Sequence, residues 1–111
     1  MHKCSKKKMI VTFNQKYLKV LYEQGKDDKR HRFQPDIIRR YKRCIDYLKQ
    51  AKEIEELFLM PSLHYENLIG NKEGISSIRV NDQYRIEFTI MKKDNPIITI
   101  CNILELSNHY K

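Results

Sequence analysis

The fold of this chain is decided by one stretch, Gly74-Ile-Ser-Ser-Ile-Arg-Val-Asn-Asp-Gln-Tyr-Arg-Ile-Glu-Phe-Thr-Ile90. Apolar and polar residues alternate on both sides of its centre, which is typical of a β-hairpin. A three-residue loop, Asn81-Asp82-Gln83, sets Val80 opposite Tyr84 and keeps the apolar residues on one face, whereas a two-residue loop would mix the two faces. We therefore predict the three-residue loop.

The polar side of this hairpin carries two arginines. In the predicted register Arg79 lies directly across from Arg85, with Ser77 and Glu87 beside them. Directly opposed like charges destabilise a sheet, so an anion bound by both guanidinium groups is one explanation. Side chains turned to water or to Glu87 are the other, and the sequence leaves both open.

The composition is that of one small domain. The chain has 111 residues and is 41% hydrophobic, which is enough for one modest core. No apolar run approaches the ~18 residues that span a bilayer, and the Lys-rich start lacks an apolar segment of signal-peptide length. We therefore expect a cytoplasmic protein with no membrane partner. Cys4, Cys44 and Cys101 are too widely spaced for a disulfide framework or a zinc site, and the last two are expected in the core.

The net charge of +8 is unevenly distributed along the chain. Residues 1–44 carry 14 Lys and Arg against 4 Asp and Glu, whereas residues 45–111 carry 8 against 10. This asymmetry favours a polyanion bound to the N-terminal half, and nucleic acid before membrane because no apolar helix face is left free to insert. A basic surface that serves only solubility is the alternative.

In the N-terminal quarter of the chain, the sequence predicts an extension, a strand and a helix. Residues 1–8 show no periodicity and are predicted to be a disordered basic extension, so that the domain occupies residues 9–111. Residues 9–13 favour a short strand. Asn14 is predicted to cap the helix that follows, and Gly25 to close it.

A second helix is predicted from Pro35, which suits the first helical turn. Apolar residues recur along it at helical spacing: Ile37, Ile38, Tyr41, Cys44, Ile45, Leu48 and Ala51. The other side is basic and is a candidate for contact with RNA phosphates, although a solvated face is the more common outcome. The residues assigned to RNA binding are Arg39, Arg40, Lys42 and Arg43, together with Lys72 before the hairpin.

Beyond the hairpin, residues 97–106 are apolar at nearly every position, which suits an interior strand covered on both faces. The chain then ends Ser107-Asn108-His109-Tyr110-Lys111, which places two aromatic, titratable side chains at the end of that strand.

The elements together predict an α+β fold, with two N-terminal helices packed on one face of a small, mainly antiparallel sheet. The opposite face is expected to be open. Arg79 and Arg85 should lie on it, and Glu66 leads into the same sheet edge.

Two blocks of the sequence match a known pattern. One is the spacing of Gly70 and Gly74 followed by Asn-Asp-Gln-Tyr-Arg up to Arg85, and the other is Phe-x₃-Tyr-Leu-x₂-Leu-Tyr-Glu-x-Gly from Phe13 to Gly25. In both, the chain resembles the HigB branch of the RelE superfamily of type II toxin-antitoxin toxins, from about residue 9 to the end. The resemblance implies a RelE-like, microbial-RNase-like fold and a ribosome-dependent mRNA endonuclease. Its implied partners are the ribosome, mRNA and a helix-turn-helix, HigA-like antitoxin, through which alone it would reach operator DNA.

The site residues implied by the resemblance come from two branches of the superfamily. The HigB pattern His-x-Leu-Lys-Gly becomes Glu66-Asn67-Leu68-Ile69-Gly70, so its histidine is Glu66 and its lysine is Ile69. The YoeB branch, however, has glutamate at the first of these places, and the order His109-Tyr110 also resembles the YoeB ending. The implied working set is therefore Glu66, Arg85, His109 and Tyr110. Ile69 removes a cation that the family uses, which lowers the expected rate.

This set suits RNA cleavage with no cofactor and no metal ion. A base must take the proton from the 2′-OH, a cation must steady the charge on phosphorus, and an acid must protonate the departing 5′-oxygen. We assign these roles to Glu66, to Arg85 assisted by Arg79, and to His109. Tyr110 would stack on or orient a base. His64, which a strand would point to the same face as Glu66, is an alternative base.

Two other functions stay open at this point. A ParE-like toxin binds DNA gyrase and needs no catalytic set. A catalytically inactive homologue would be retained for antitoxin and operator binding, and Ile69 keeps this alternative open. The presence of Glu66, Arg85 and His109 together favours mRNA cleavage.

Overall fold

The computed structural model describes residues 8–94 and 97–108, and these form the predicted α+β fold. Three helices precede most of the sheet: α1 (Lys16–Gln24), α2 (Pro35–Gln50) and α3 (Glu55–Phe58). The five strands are β1 (Lys8–Phe13), β2 (Glu66–Asn67), β3 (Ser76–Arg79), β4 (Arg85–Asp94) and β5 (Ile97–Ser107). Two 3-10 turns, Pro61–Leu63 and Gly70–Lys72, flank β2.

The strands lie in the order β1-β5-β4-β3-β2. β5 pairs parallel with β1 and antiparallel with β4, and the other pairings are antiparallel. The prediction that the apolar run near the C-terminus is an interior strand is therefore confirmed. A bulge between Glu87 and Phe88 shifts the β4–β5 register, so that Glu87 faces Glu105 while Phe88 faces Ile103.

The hairpin has the predicted register. Ile78 pairs with Ile86, and the N–H of Val80 donates to the carbonyl of Tyr84 at 2.9 Å, which leaves a three-residue loop. The side-chain oxygen of Asn81 accepts from the backbone N–H groups of Gln83 and Tyr84, at 2.9 and 2.8 Å. This Asx-type turn explains how the loop closes without glycine.

The helices bury the apolar positions read from the sequence. α2 begins at Pro35, as predicted, and buries Ile37, Tyr41, Cys44, Ile45 and Leu48. α1 ends at Gly25, whose φ of 67° is the left-handed conformation that glycine adopts easily. The prediction that Asn14 caps α1 is wrong. Its N–H donates to the carbonyl of Ile103 at 2.8 Å, so Asn14 extends the β1–β5 ladder, and Gln15 takes the cap position.

Cys44 and Cys101 are buried and free, as expected of core residues. Burial raises the pKa of the Cys44 thiol to about 11 and that of Cys101 to about 12. Both side chains therefore stay neutral thiols near pH 7 and pack as small apolar groups.

The predicted basic extension, residues 1–8, falls almost entirely outside the described residues. β1 begins at Lys8, one residue before the expected start of the domain. In the part of the chain that the structure describes, no helix has the length and apolar character needed to cross a membrane.

Candidate active site

The sheet has a polar face that turns away from the helix-packed core. Alternate residues of a strand share a face, and the register lays polar residues side by side across β2 to β5. The residues of this polar face are Glu66, Ser77, Arg79, Arg85, Glu87, Glu105 and Ser107. They bring together three separate parts of the chain and form the candidate active site.

Arg85 is held firmly at the centre of the polar face. Its Nε donates to Oγ of Ser77 at 2.9 Å, and its Nη2 donates to the backbone carbonyl of His64. Oε1 of Glu66 lies 3.6 Å from the same Nη2. The predicted face is correct, but the expectation that it is open is wrong at Arg85, which is only 7% exposed. A guanidinium group held in this way presents a preorganised positive charge.

Arg79 takes a different partner from Arg85. The two residues pair directly across β3 and β4, as predicted. The guanidinium group of Arg79, however, pairs with Asp82 in the hairpin loop. Arg85 lies beside Glu66 instead. The register therefore does not by itself make a shared anion site, and the assisting role of Arg79 stays a prediction.

A partly buried ion pair, which the sequence did not reveal, also lies on the polar face. Nζ of Lys72 is 2.8 Å from Oε2 of Glu87, and Glu87 is 3% exposed. Lys72 ends the 3-10 turn Gly70–Lys72, so this turn carries an ammonium group onto the sheet. From the sequence, Lys72 was a candidate for RNA binding, and Glu87 was an alternative partner for Arg79 and Arg85 rather than for Lys72. The available signal was a single acidic residue between Ile86 and Phe88 in a strand.

Glu66 and His64 precede the hairpin and differ in their placement. Glu66 pairs with Ser77 from the two-residue strand β2, and its side chain is exposed. His64 is not in a strand, so the prediction that a strand aims its ring is wrong. It follows the turn Pro61–Leu63 with φ 44° and ψ 56°, a left-handed conformation that is costly for a residue with a Cβ. Its backbone carbonyl, through the bond to Arg85, joins this turn to the polar face.

The C-terminal end of β5 completes the polar face. Ser107 pairs across from Arg85, and its buried Oγ has no hydrogen-bond partner within the described residues. His109 and Tyr110 lie outside the described residues, so their predicted roles stay predictions. Ile69 is 86% exposed beside the turn that holds Lys72.

The basic residues of α2 divide between two depressions in the surface. Arg39 and Lys42 line one beside Gly25, Arg40 lines the other beside the hairpin loop, and Arg43 borders both. Arg39 and Arg40 both pair with Asp36. Across residues 8–94 and 97–108, no group of three or more His, Cys, Asp or Glu is placed to hold a metal ion.

The architecture is shared with a solved toxin structure. The YoeB/ParE toxin from Agrobacterium tumefaciens matches with a TM-score of 0.55 over 92% of this chain and 100% of that chain, at 13% sequence identity. At this identity the likeness shows the fold alone. The chain therefore has the fold of RelE-type toxins.

Sequence comparison then identifies the family. The profile of the RelE-like toxins of type II toxin-antitoxin system HigB matches residues 11–102. Toxin HigB-1 of Vibrio cholerae serotype O1 is 41% identical over 81 residues, which are 72% of this chain and 82% of that protein. The chain belongs to the HigB-like toxins of type II toxin-antitoxin systems, a RelE-like family whose members are ribosome-dependent mRNA endonucleases. Membership also implies a cognate antitoxin as its partner.

Proposed function

We propose that this toxin cleaves mRNA on the ribosome by attack of the RNA's own 2′-OH, with no metal ion or cofactor. The observation that supports this most is the placement of Arg85. Its guanidinium group is buried and fixed by Ser77 and His64, and the exposed carboxylate of Glu66 lies 3.6 Å away. A fixed cation beside a reachable base is the arrangement that a phosphate undergoing internal attack requires.

Each residue has a role that follows from its surroundings. Glu66 accepts the 2′-OH proton, because its side chain is 57% exposed and an RNA strand can reach it. Arg85 stabilises the additional negative charge that develops on the phosphorus oxygens. Lys72, anchored on Glu87, contributes a second positive charge at the RNA surface.

The acid and the stacking residue are assigned to the end of the chain. His109 protonates the departing 5′-oxygen, and Tyr110 stacks on or orients a base. Support for this assignment comes from β5, whose last residue, Ser107, pairs across from Arg85. We assign His109 to the same phosphate because it follows Ser107 by only two residues in the sequence.

Partners and location follow from the same reaction. We assign a HigA-like, helix-turn-helix antitoxin as the cognate partner, with operator DNA reached only through it. The ribosome and mRNA are the RNA partners, and the cytoplasm is the place of action because translation occurs there. Four exposed or half-exposed basic residues on α2 support docking on RNA: Arg39, Arg40, Lys42 and Arg43.

Primer extension on cellular mRNA tests this function. After induction without antitoxin, we expect growth arrest and new, discrete 5′ ends within translated messages. Arg85→Gln at equal abundance should remove those ends. Intact mRNA with accumulating DNA breaks would assign gyrase binding instead. Intact mRNA and DNA, with antitoxin binding retained, would identify a catalytically inactive homologue.

A further inference from the structure

We propose that a groove between α2 and the β3–β4 hairpin loop binds a phosphodiester group of the mRNA next to the cleaved one. This arginine groove is a cavity of about 610 Å³ whose cationic lining residues are Arg40, Arg43 and Arg79. The inference rests on the proposed function, because the cleaved phosphate is the one placed at Arg85. In this inference Arg79 binds the neighbouring phosphodiester group, whereas Arg85 binds the cleaved one.

The fold brings the three arginines together from distant parts of the sequence. Arg40 and Arg43 lie one turn apart on α2, and Arg79 ends β3. The Cys44 thiol donates to the backbone carbonyl of Arg79 at 3.6 Å and fixes the strand against the helix. Burial holds the pKa of Cys44 at about 11 although Arg43 and Arg40 act to lower it, so no thiolate offsets the charge of the groove.

Two of the arginines are held in place by weak, replaceable partners. Arg40 Nε lies 2.9 Å from Asp36, and both side chains are about half exposed. Arg79 pairs with Asp82, whose side chain is 87% exposed. Exposed ion pairs contribute about 0–1 kcal/mol, so a phosphate that binds a guanidinium group through two oxygens can replace the carboxylate. Arg43 is exposed, and it takes part in none of the ion pairs found within the described residues.

The groove is continuous with the polar face. Ser62 and Leu63, in the turn Pro61–Leu63, form one wall of the groove. The next residue, His64, binds Arg85 through its carbonyl. Arg79 is also the direct neighbour of Arg85 across the two strands. An RNA strand that crosses this turn therefore meets Arg85 on one side and the arginine groove on the other.

The lining favours RNA over an acidic protein segment. Besides the arginines, the groove offers an aromatic ring and two amides that can stack on or hydrogen-bond to a nucleotide, from Tyr47, Asn81 and Gln83. Guanidinium groups match the oxygens of a phosphodiester, and continuity with Arg85 places this phosphate on the substrate strand.

The test compares Arg43→Ala and Arg79→Ala with the parent toxin on mRNA-programmed ribosomes. For each variant we expect the toxin concentration giving half-maximal cleavage to rise about tenfold, as for loss of one phosphate contact, and to change more than the maximal rate. Arg43→Lys should lie between Arg43→Ala and the parent. Lys19→Ala removes one charge from the exposed face of α1, away from the groove, and should behave as the parent. Circular dichroism checks that each variant is folded.

Several outcomes would overturn the inference. One is that both arginine variants match Lys19→Ala while the parent cleaves, which removes the groove but leaves the proposed function. A second is an equal loss of affinity for ribosomes without mRNA, which assigns the groove to ribosomal RNA. A third is weakened antitoxin binding with unchanged cleavage, which assigns it to an acidic protein segment. No cleavage by the parent would remove the proposed function and the inference together.

Discussion

The ammonium group of Lys72 lies 2.8 Å from the carboxylate of Glu87, and these two groups differ sharply in exposure: the Lys72 side chain is 40% exposed and that of Glu87 is 4%. A carboxylate taken out of water depends on its partners, whereas a half-exposed ammonium group can also reach a ligand. Glu87 lies directly opposite Ser77 across strands β3 and β4, and the hydroxyl of Ser77 accepts a hydrogen bond from Arg85. The pair therefore fixes a second cation, Lys72, on the sheet face that also carries Arg85.

Lys72→Met should weaken both stability and cleavage. Because it removes a charge partner from buried Glu87, we expect the free energy of unfolding to fall by about 1–3 kcal/mol. Cleavage should fall about tenfold or more, while Lys72→Arg keeps most of it. Urea unfolding and ribosome-bound cleavage measure the two effects. Lys92→Met is the matched control, because its pair with Glu55 is exposed on both sides and should cost less than about 1 kcal/mol.

Arg85→Lys separates positive charge from geometry. Lysine keeps the positive charge but cannot donate hydrogen bonds to Ser77 and His64 at the same time in the way the guanidinium group does. Cleavage should therefore fall about 10²-fold. Because Arg85 is buried, the free energy of unfolding should also fall, by roughly 1–3 kcal/mol. Both are measured on purified protein, with activity expressed per folded molecule. Parent-level cleavage by Arg85→Lys would contradict the preorganised role.

The end of the chain should carry the acid. His109→Ala should lose most cleavage because the 5′-oxygen is a poor leaving group without a proton, and deletion of residues 108–111 should lose as much without unfolding the sheet. Tyr110→Phe should keep more activity than Tyr110→Ala, since stacking needs the ring more than the hydroxyl. Near-parent cleavage by His109→Ala, with folding confirmed by circular dichroism, would exclude this acid.

The chemical groups at the ends of the cleaved RNA fragments identify the nucleophile. We expect a 5′-OH on one fragment and a 2′,3′-cyclic phosphate or 3′-phosphate on the other, because the attacking oxygen belongs to the RNA. End-specific labelling of the fragments distinguishes these groups. Cleavage should also persist in excess EDTA once ribosome integrity is controlled. A 5′-phosphate would mean that water attacked, and the roles of Glu66 and His109 would then be withdrawn.

Stability should fall in alkaline solution because of the buried thiols. Free thiols ionise near pH ~8.5. Burial raises the pKa of Cys44 to about 11, so between these values the unfolded state releases a proton that the folded state keeps. This contribution to the free energy of unfolding is complete below pH ~8.5 and is lost toward pH 11, on the order of 3 kcal/mol. Urea unfolding at pH 8 and pH 10.5 measures it. Cys44→Ala should show a shallower loss, and an unchanged slope would contradict the burial of this thiol.

Sequence periodicity predicted two kinds of element: strands that pair with a neighbour close in the chain, and helices with a regular apolar stripe. Alternation around Asn81 was sufficient for the hairpin register, and the apolar stripe of α2 for its buried face. The burial of Arg85 on the polar face could not be predicted, because it depends on residues 59–75, whose sequence has neither a helical nor a strand periodicity. Their path depends on two 3-10 turns and on the backbone of His64. The ion pair between Arg79 and Asp82 could have been predicted, because Asp82 is only three residues away in the hairpin loop.

The pairing of β1 with β5 has a consequence for the order in which this toxin matures during synthesis. β1 is translated first, yet its ladder joins Thr12 to Asn102, so it has no hydrogen-bonding partner until β5 has been made. Pairing between such distant segments is also slow, because the intervening chain must be ordered first. Until β5 has been made, the nascent polypeptide lacks the central strand of the sheet and the Ser107 end of the polar face. The proposed cleavage activity therefore cannot arise before the last strand of the sheet has been synthesised.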